Sequence, residues 1–210
     1  KPIVYAAALE TAFDEKSADP SAENKSGGVT VTPQAEAATP ATTPAGTADD
    51  VQPAGPVASL DNAKAITAIT TVMDEPTTFN YDKDKSYEPN NYHQEYRGIV
   101  TLRTALENSL NVPTIKFAEH IGYGRVATMA RRLGLNAKIK GYPSVALGAF
   151  EVTPIEMAGA YTAFANEGRR MEHHALLRVT SADGSINKPY KYEPQQVIRP
   201  ELAYLMTYLM

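Results

Sequence analysis

The chain has 210 residues, of which 43% are hydrophobic, and 24 acidic against 20 basic side chains leave a formal charge of −4. That length suits one domain of ordinary size with a real core, and the mild acidity argues against a polyanion-binding surface and so against nucleic acid. Cysteine is absent, which removes disulfides and thiolate metal sites; no apolar run approaches the roughly 20 residues that span a bilayer, and no signal peptide is visible.

Residues 1 to 12 read as an alanine-rich helix, Ala6-Ala7-Ala8 being strong helix formers. The chain opens inside this pattern at Lys1 and closes at Met210 inside another, so the sequence reads as a fragment of a longer protein. From Asp14 to Leu60 the composition shifts to Ala, Pro, Thr, Ser, Gly and Asp, with no aromatic residue. Such a stretch buries too little apolar surface to offset chain entropy, and residues 14–60 are expected to be a disordered insertion within the domain. Residues 65 to 79, with Ile66, Ile69, Val72 and several threonines, carry a strand signal that Asp74-Glu75-Pro76 ends. The polar stretch 80–98 holds Tyr81, Tyr87, Tyr92 and Tyr96 among prolines and asparagines and reads as a loop packed on its neighbours.

Two amphipathic helical patterns then meet at Asn108-Ser109-Leu110-Asn111. Leu102, Ala105, Leu106 and Leu110 form the apolar face of the first. The second, with Ile115, Phe117, Ala118 and Ile121, is expected to start beyond Pro113, with Val112 pushed out of the α region and Gly122 stopping it. Ser109 and Asn111 therefore fall on a break between helices. A hydroxyl and a carboxamide projecting together from such a turn can pass a proton and hold a substrate amide. Equally, Asn111 can simply cap the second helix and Ser109 end the first.

Further on, 123–135 predicts a short helix with Val126, Met129, Ala130 and Leu133 inward. Thr153-Pro154-Ile155-Glu156 is a capping box, opening a helix whose apolar stripe reads Ile155, Ala158, Gly159, Tyr161, Thr162 and Ala165. Residues 174–186 predict a strand, an Asp183-Gly184 turn and a second strand, and 201–210 an apolar helix. The histidines do not form a metal-ligand pattern, and no nucleotide-binding loop is present, so no cofactor is expected.

The run Arg97-Gly98-Ile99-Val100-Thr101-Leu102-Arg103, continued through Ser109, Asn111, Val112 and Pro113, resembles the second active-site motif of penicillin-binding proteins, specifically the transpeptidase domain of the bifunctional class A kind. Lys1-Pro2-Ile3-Val4-Tyr5 and the alanines after it resemble the continuation of that family's Ser-x-x-Lys helix. The stretches Pro143–Gly148 and Glu151–Asn166 resemble its long downstream helix, and Tyr87–Tyr92 the loop before the Ser-x-Asn motif. The resemblance covers residues 1–10 and 66–210, in the family's order; the 14–60 insertion departs from it.

This resemblance implies an α+β fold like that of serine β-lactamases, an antiparallel sheet flanked by helices, with 1–210 a partial transpeptidase domain. It implies a serine-type D-Ala-D-Ala transpeptidase that cross-links peptidoglycan stem peptides through an acyl-enzyme and is acylated by β-lactam antibiotics. Lys1 would activate the nucleophile, Ser109 relay protons and Asn111 hold the substrate's backbone. The nucleophilic serine, three positions before Lys1, and the Lys-Thr-Gly strand would lie outside these residues, leaving the fragment inactive alone. The parent would work on the outer side of the membrane, held by an upstream anchor, with other cell-wall synthesis proteins as possible partners. A β-lactamase or penicillin-sensing domain, a class B transpeptidase and a non-catalytic envelope scaffold remain as alternatives.

Overall fold

A computed structural model describes residues 1–18, 58–63, 65–82, 85–135 and 138–210. The first helix, α1 (Pro2–Ala18), is the core of this arrangement. Val4 through Leu9 are buried without interruption, at 3% exposure or less. A helix apolar all round belongs in an interior. Its alanines leave room for α3 (Asn111–Ile121), α4 (Tyr123–Arg132) and α6 (Pro200–Leu209), which all pack on it. The helix extends to Ala18, past the residue where the sequence places the start of the insertion, and at the other end Ser59 bridges Thr71 and Leu60 is buried, so the expected disorder is too wide at both ends; its remainder, 19–57, lies outside the described residues.

The described strands pair in four two-stranded antiparallel ladders, which with the helices give an α+β architecture. β1 (Thr71–Asp74) lies against β4 (Gly98–Thr101), with Thr71 opposite Thr101 and Asp74 opposite Gly98. β1 is shorter than its sequence signal because Thr70 turns the chain before it: its hydroxyl accepts from the Thr67 N–H at 2.9 Å, a local bond that replaces a ladder bond. Between them, β2 (Phe79–Asp82) and β3 (Lys85–Tyr87) form a hairpin where the sequence suggested only loop. The apolar cue there is Phe79, which is 1% exposed.

β4 runs directly into α2 (Leu102–Glu107), because Thr101 caps it by accepting from the Thr104 N–H at 3.1 Å. α3 follows after three residues. Then comes α5 (Pro154–Ala165), which opens with the expected reciprocal capping box between Thr153 and Glu156. Its buried face, however, is Ala160, Ala163 and Phe164; Ile155 is 54% exposed and Tyr161 41%. Few polar residues mark a solvent side on this helix, so periodicity alone left its facing open and packing against α6 selects the small-residue side.

After α5, β5 (Arg169–Arg170) pairs with β8 (Gln195–Gln196), and β6 (Arg178–Thr180) with β7 (Asn187–Pro189) around the expected Asp183-Gly184 turn. Gly168, at φ +79°, joins α5 to β5; a Cβ there would stand 2.1 Å from the Ile198 carbonyl oxygen, so no larger residue fits. α6 closes the core with Leu202, Ala203, Met206 and Leu209.

One polar contact ties α1 to α3 inside this core. The Tyr5 hydroxyl and Thr114 Oγ1 lie 2.7 Å apart, and Thr114 Oγ1 donates to the Leu110 carbonyl at 2.5 Å. With both hydroxyls buried, Thr114 must donate to the carbonyl and accept from Tyr5. Phe117, one helical turn on, packs its ring 5.9 Å from that of Tyr5.

Replacing Thr114 by valine strands the buried tyrosine hydroxyl and should cost about 1–3 kcal/mol in chemical denaturation of this chain. Tyr5→Phe added to it should restore part of that loss, so the two substitutions will be non-additive; simple additivity contradicts the pairing. Phe117→Ala should cost about 3–5 kcal/mol, and a loss below about 1 kcal/mol would show that the α1–α3 contact is not core.

Candidate active site

The structure brings together two of the residues the sequence singled out. Lys1 stands at the mouth of α1, where its carbonyl accepts from the Val4 N–H at 2.8 Å. Its Nζ donates to Ser109 Oγ at 2.9 Å, and also to the Ser109 backbone carbonyl. The two residues are 108 positions apart in sequence, so this contact is a product of the α1–α3 packing.

Ser109 sits at the break expected for it, and the reason is a helix stop. The Ser109 N–H donates to the Leu106 carbonyl and the Leu110 N–H to the Ala105 carbonyl, both at 3.0 Å. These crossed bonds are a Schellman closure of α2, with buried Ala105 and Leu110 supplying its apolar contact. The motif demands a left-handed residue, and Ser109 takes it at φ 53°. Glycine normally fills this position; an L-residue there costs roughly 1–2 kcal/mol. Strain kept at one serine whose hydroxyl meets a lysine points to function there.

Asn111 opens α3. Val112 and Pro113 lie inside the helix, so the expected start beyond Pro113 is too late and Val112 is not excluded from the α region. The bias against α before proline is overcome because the chain can start a helix two residues earlier. At that earlier start the N–H groups of Asn111 and Val112 both donate to Asn91 Oδ1, at 2.9 and 3.1 Å, and the proline ring removes a third donor. The Asn111 side chain is also held: its Nδ2 donates to the Asn90 carbonyl at 2.6 Å. Its second amide proton and its Oδ1 make no further hydrogen bond among the described residues, which leaves one donor and one acceptor for an amide ligand. Asn111 is thus capped by another residue rather than being the cap.

Sequence reasoning missed Asn91 and its partner Asp74. Asn91 stood in a stretch read as loop packing, and Asp74 was read only as the end of a strand. Burial separates them from the other polar residues nearby, since they are 4% and 1% exposed. Nothing in residue type or spacing carries that signal.

The electrostatics at Lys1 work against the charged amine. Burial lowers its pKa from the ordinary lysine value. Beside it is an apolar cavity of about 110 Å³ lined by Val4, Val126, Val145, Phe150 and Met157, among others. A lysine in this setting, hydrogen-bonded to a hydroxyl, can take and return protons. The described residues contain no cluster of three or more His, Asp or Glu suited to a metal ion.

Comparison with known proteins places nearly the whole chain in a family. Residues 8–210 match the family model described as the penicillin binding protein transpeptidase domain. Penicillin-binding protein 1B of Vibrio cholerae is 32% identical over 161 residues, which are 76% of this chain and 21% of that protein. The chain therefore spans about a fifth of that relative's length. Among solved structures, penicillin-binding protein 1A from Haemophilus influenzae superposes with a TM-score of 0.68 at 20% identity, covering 98% of this chain and 28% of that one. PonA1 from Mycobacterium tuberculosis in complex with penicillin V gives 0.59 at 22% identity, over 69% of this chain and 41% of that one. On these matches the chain belongs to the penicillin-binding protein transpeptidase family, in its class A branch.

Proposed function

We propose that this chain carries the lysine, serine and asparagine of a serine-type peptidoglycan D,D-transpeptidase. The contact that supports it most is the one between Lys1 Nζ and Ser109 Oγ. In the complete protein a serine three positions ahead of Lys1 is the nucleophile; at i and i+3 on a helix, its hydroxyl and the lysine amine share one face. The neutral amine accepts the hydroxyl proton as the serine oxygen bonds to the carbonyl carbon of the penultimate D-alanine. The peptide C–N bond breaks, and the departing amine of the terminal D-alanine takes up a proton passed through Ser109. An amine of a second stem peptide then attacks the ester, its proton leaves by the same hydroxyl, and the serine oxygen departs and recovers a proton from the lysine. Asn111 holds the substrate's backbone amide through this exchange. Its fixed orientation is useful because the holding cost is met before substrate arrives.

β-Lactams enter the same scheme as acylating mimics of the peptide. The Lys-Thr-Gly strand belongs to the complete protein as well, and the reaction runs outside the cytoplasmic membrane, where stem peptides are cross-linked. Among the described residues no helix is long and apolar enough to cross a membrane. Anchorage is assigned to an upstream segment.

Acylation by a labelled penicillin tests this reading. Ser109→Ala in the complete protein should slow acylation by a labelled penicillin roughly a hundredfold or more, while unchanged acylation contradicts the relay. The isolated 210-residue chain should take up no covalent label. As for pH, the base must be uncharged, and lowering its pKa moves the neutral form to lower pH. Acylation by the complete protein should therefore rise with pH along a limb centred below the ordinary lysine value of 10.5. Lys1→Arg, which stays charged, should abolish that limb and most of the rate; an unaltered profile would remove Lys1 from the mechanism.

A further inference from the structure

Asn91 has four hydrogen-bonding positions on its carboxamide, and the structure uses all four. Its Oδ1 accepts from the N–H groups of Asn111 and Val112. Its Nδ2 donates to Asp74 Oδ1 at 2.7 Å and to the Glu95 carbonyl at 3.0 Å. Only one orientation of the amide satisfies two donors on one side and two acceptors on the other. The second oxygen of Asp74 accepts from the Arg97 N–H at 3.0 Å. Asp74 is thus fixed at the end of β1, Asn91 is fixed by Asp74, and the first turn of α3 is fixed by Asn91. The same loop holds the Asn111 side chain through the carbonyl of the preceding residue, Asn90.

We infer that Asp74 and Asn91 are positioning residues for the Ser109–Asn111 site, a buried carboxylate–carboxamide pair that sets where the helix bearing Asn111 begins. The inference rests on the transpeptidase reading above. Helix α3 has no cap of its own, since its N-cap residue is Leu110 and Leu110 offers no side-chain acceptor. Pro113 contributes no N–H, so the N–H groups left without a helical carbonyl in this turn are those that Asn91 takes. Moving the pair therefore moves Asn111. Ser109, two residues before it, is already in a conformation that leaves little freedom. Misplacement of a substrate-holding group by about 1 Å can cost on the order of a hundredfold in rate.

The pair also has a signature that generic stabilisation lacks. In Asn91→Asp the two backbone N–H groups keep their acceptor, but two carboxylates then face one another across the 2.7 Å contact. They can sit there only by sharing a proton, which raises one pKa of the pair. The other titratable groups facing this region are Tyr5 on α1, whose pKa Asp74 and burial both raise, and Lys116 on α3, which pairs with Glu75 at 3.2 Å. The loop adds Glu95 and Arg97, which contribute their backbone groups. The double substitution Asp74→Asn with Asn91→Asp returns the pair to one carboxylate and one carboxamide, with only the Glu95 carbonyl losing the donor it had.

The test uses the complete protein, a fluorescent penicillin, and acylation rates measured from acidic to alkaline pH alongside a thermal melt at each pH. Wild-type acylation with loss of about a hundredfold in Asn91→Asp that deepens as pH rises, and in the double variant partial recovery with that pH dependence gone, is the expected result. Folded Asn91→Asp protein that acylates like wild type at every pH overturns the positioning role alone. Wild-type protein that takes no penicillin overturns the transpeptidase reading and the inference resting on it. Should Asn91→Asp not fold, hydrogen exchange in the wild-type protein decides: slow exchange of the Asn111 and Val112 amides supports the pair, and exchange at the rate of exposed amides overturns it.

Discussion

A helix that ends and another that begins within three residues leave a dense set of unpaired backbone groups, and the joint is held by hydrogen bonds to several of them on both sides. The last carbonyls of α2 turn back to the N–H groups of Ser109 and Leu110. The first N–H groups of α3 reach a side chain twenty positions upstream. Were either set unmet, the joint would relax toward a longer loop and its side chains would lose fixed directions. The consequence is an inter-helix turn whose rigidity comes from hydrogen bonds on both of its sides. That rigidity lets a serine be held in a left-handed conformation that a flexible loop would abandon.

Around this joint the packing supplies direction. The Val4–Leu9 stretch of α1 is buried on all sides and cannot rotate without repacking Tyr5 and Leu9, which fixes the residue at its mouth. The Tyr5–Thr114 contact links that helix to the carbonyl of Leu110, the residue between Ser109 and Asn111. Core, joint and lysine are therefore one connected unit. The partial desolvation of Lys1 follows from the same packing, since the apolar walls that seat α1 also shield one side of its amine.

Much of this was legible in the residues. Ser109 was placed on a break by the apolar spacing either side of it, though Asn111, placed there with it, opens α3, and the Thr153–Glu156 capping box and Asp183–Gly184 turn were each given by local chemistry. Local rules failed where tertiary partners decide. The start of α3 was put too late because the pre-proline rule sees Val112 and Pro113 but not Asn91. The facing of α5 was misjudged because Pro154–Ala165 is apolar on several sides and its neighbour chose among them. β2 and β3 were hidden by the polar residues flanking Phe79, and Asp74 and Asn91 by the ordinariness of their types. The roles of Lys1, Ser109 and Asn111 came from resemblance to a family, because neither Ser-x-Asn nor a lone lysine is specific by itself.

The central claim is that Lys1, Ser109 and Asn111 line one acylation site. An experimental structure of the complete protein acylated by a penicillin tests it most directly. The account predicts the acylated serine three positions before Lys1, the Lys1 amine and Ser109 hydroxyl within hydrogen-bond reach of it, about 2.6–3.2 Å, and the Asn111 carboxamide against the antibiotic's amide. An acylated serine elsewhere, with Ser109 and Asn111 turned away from the bound drug, would contradict it.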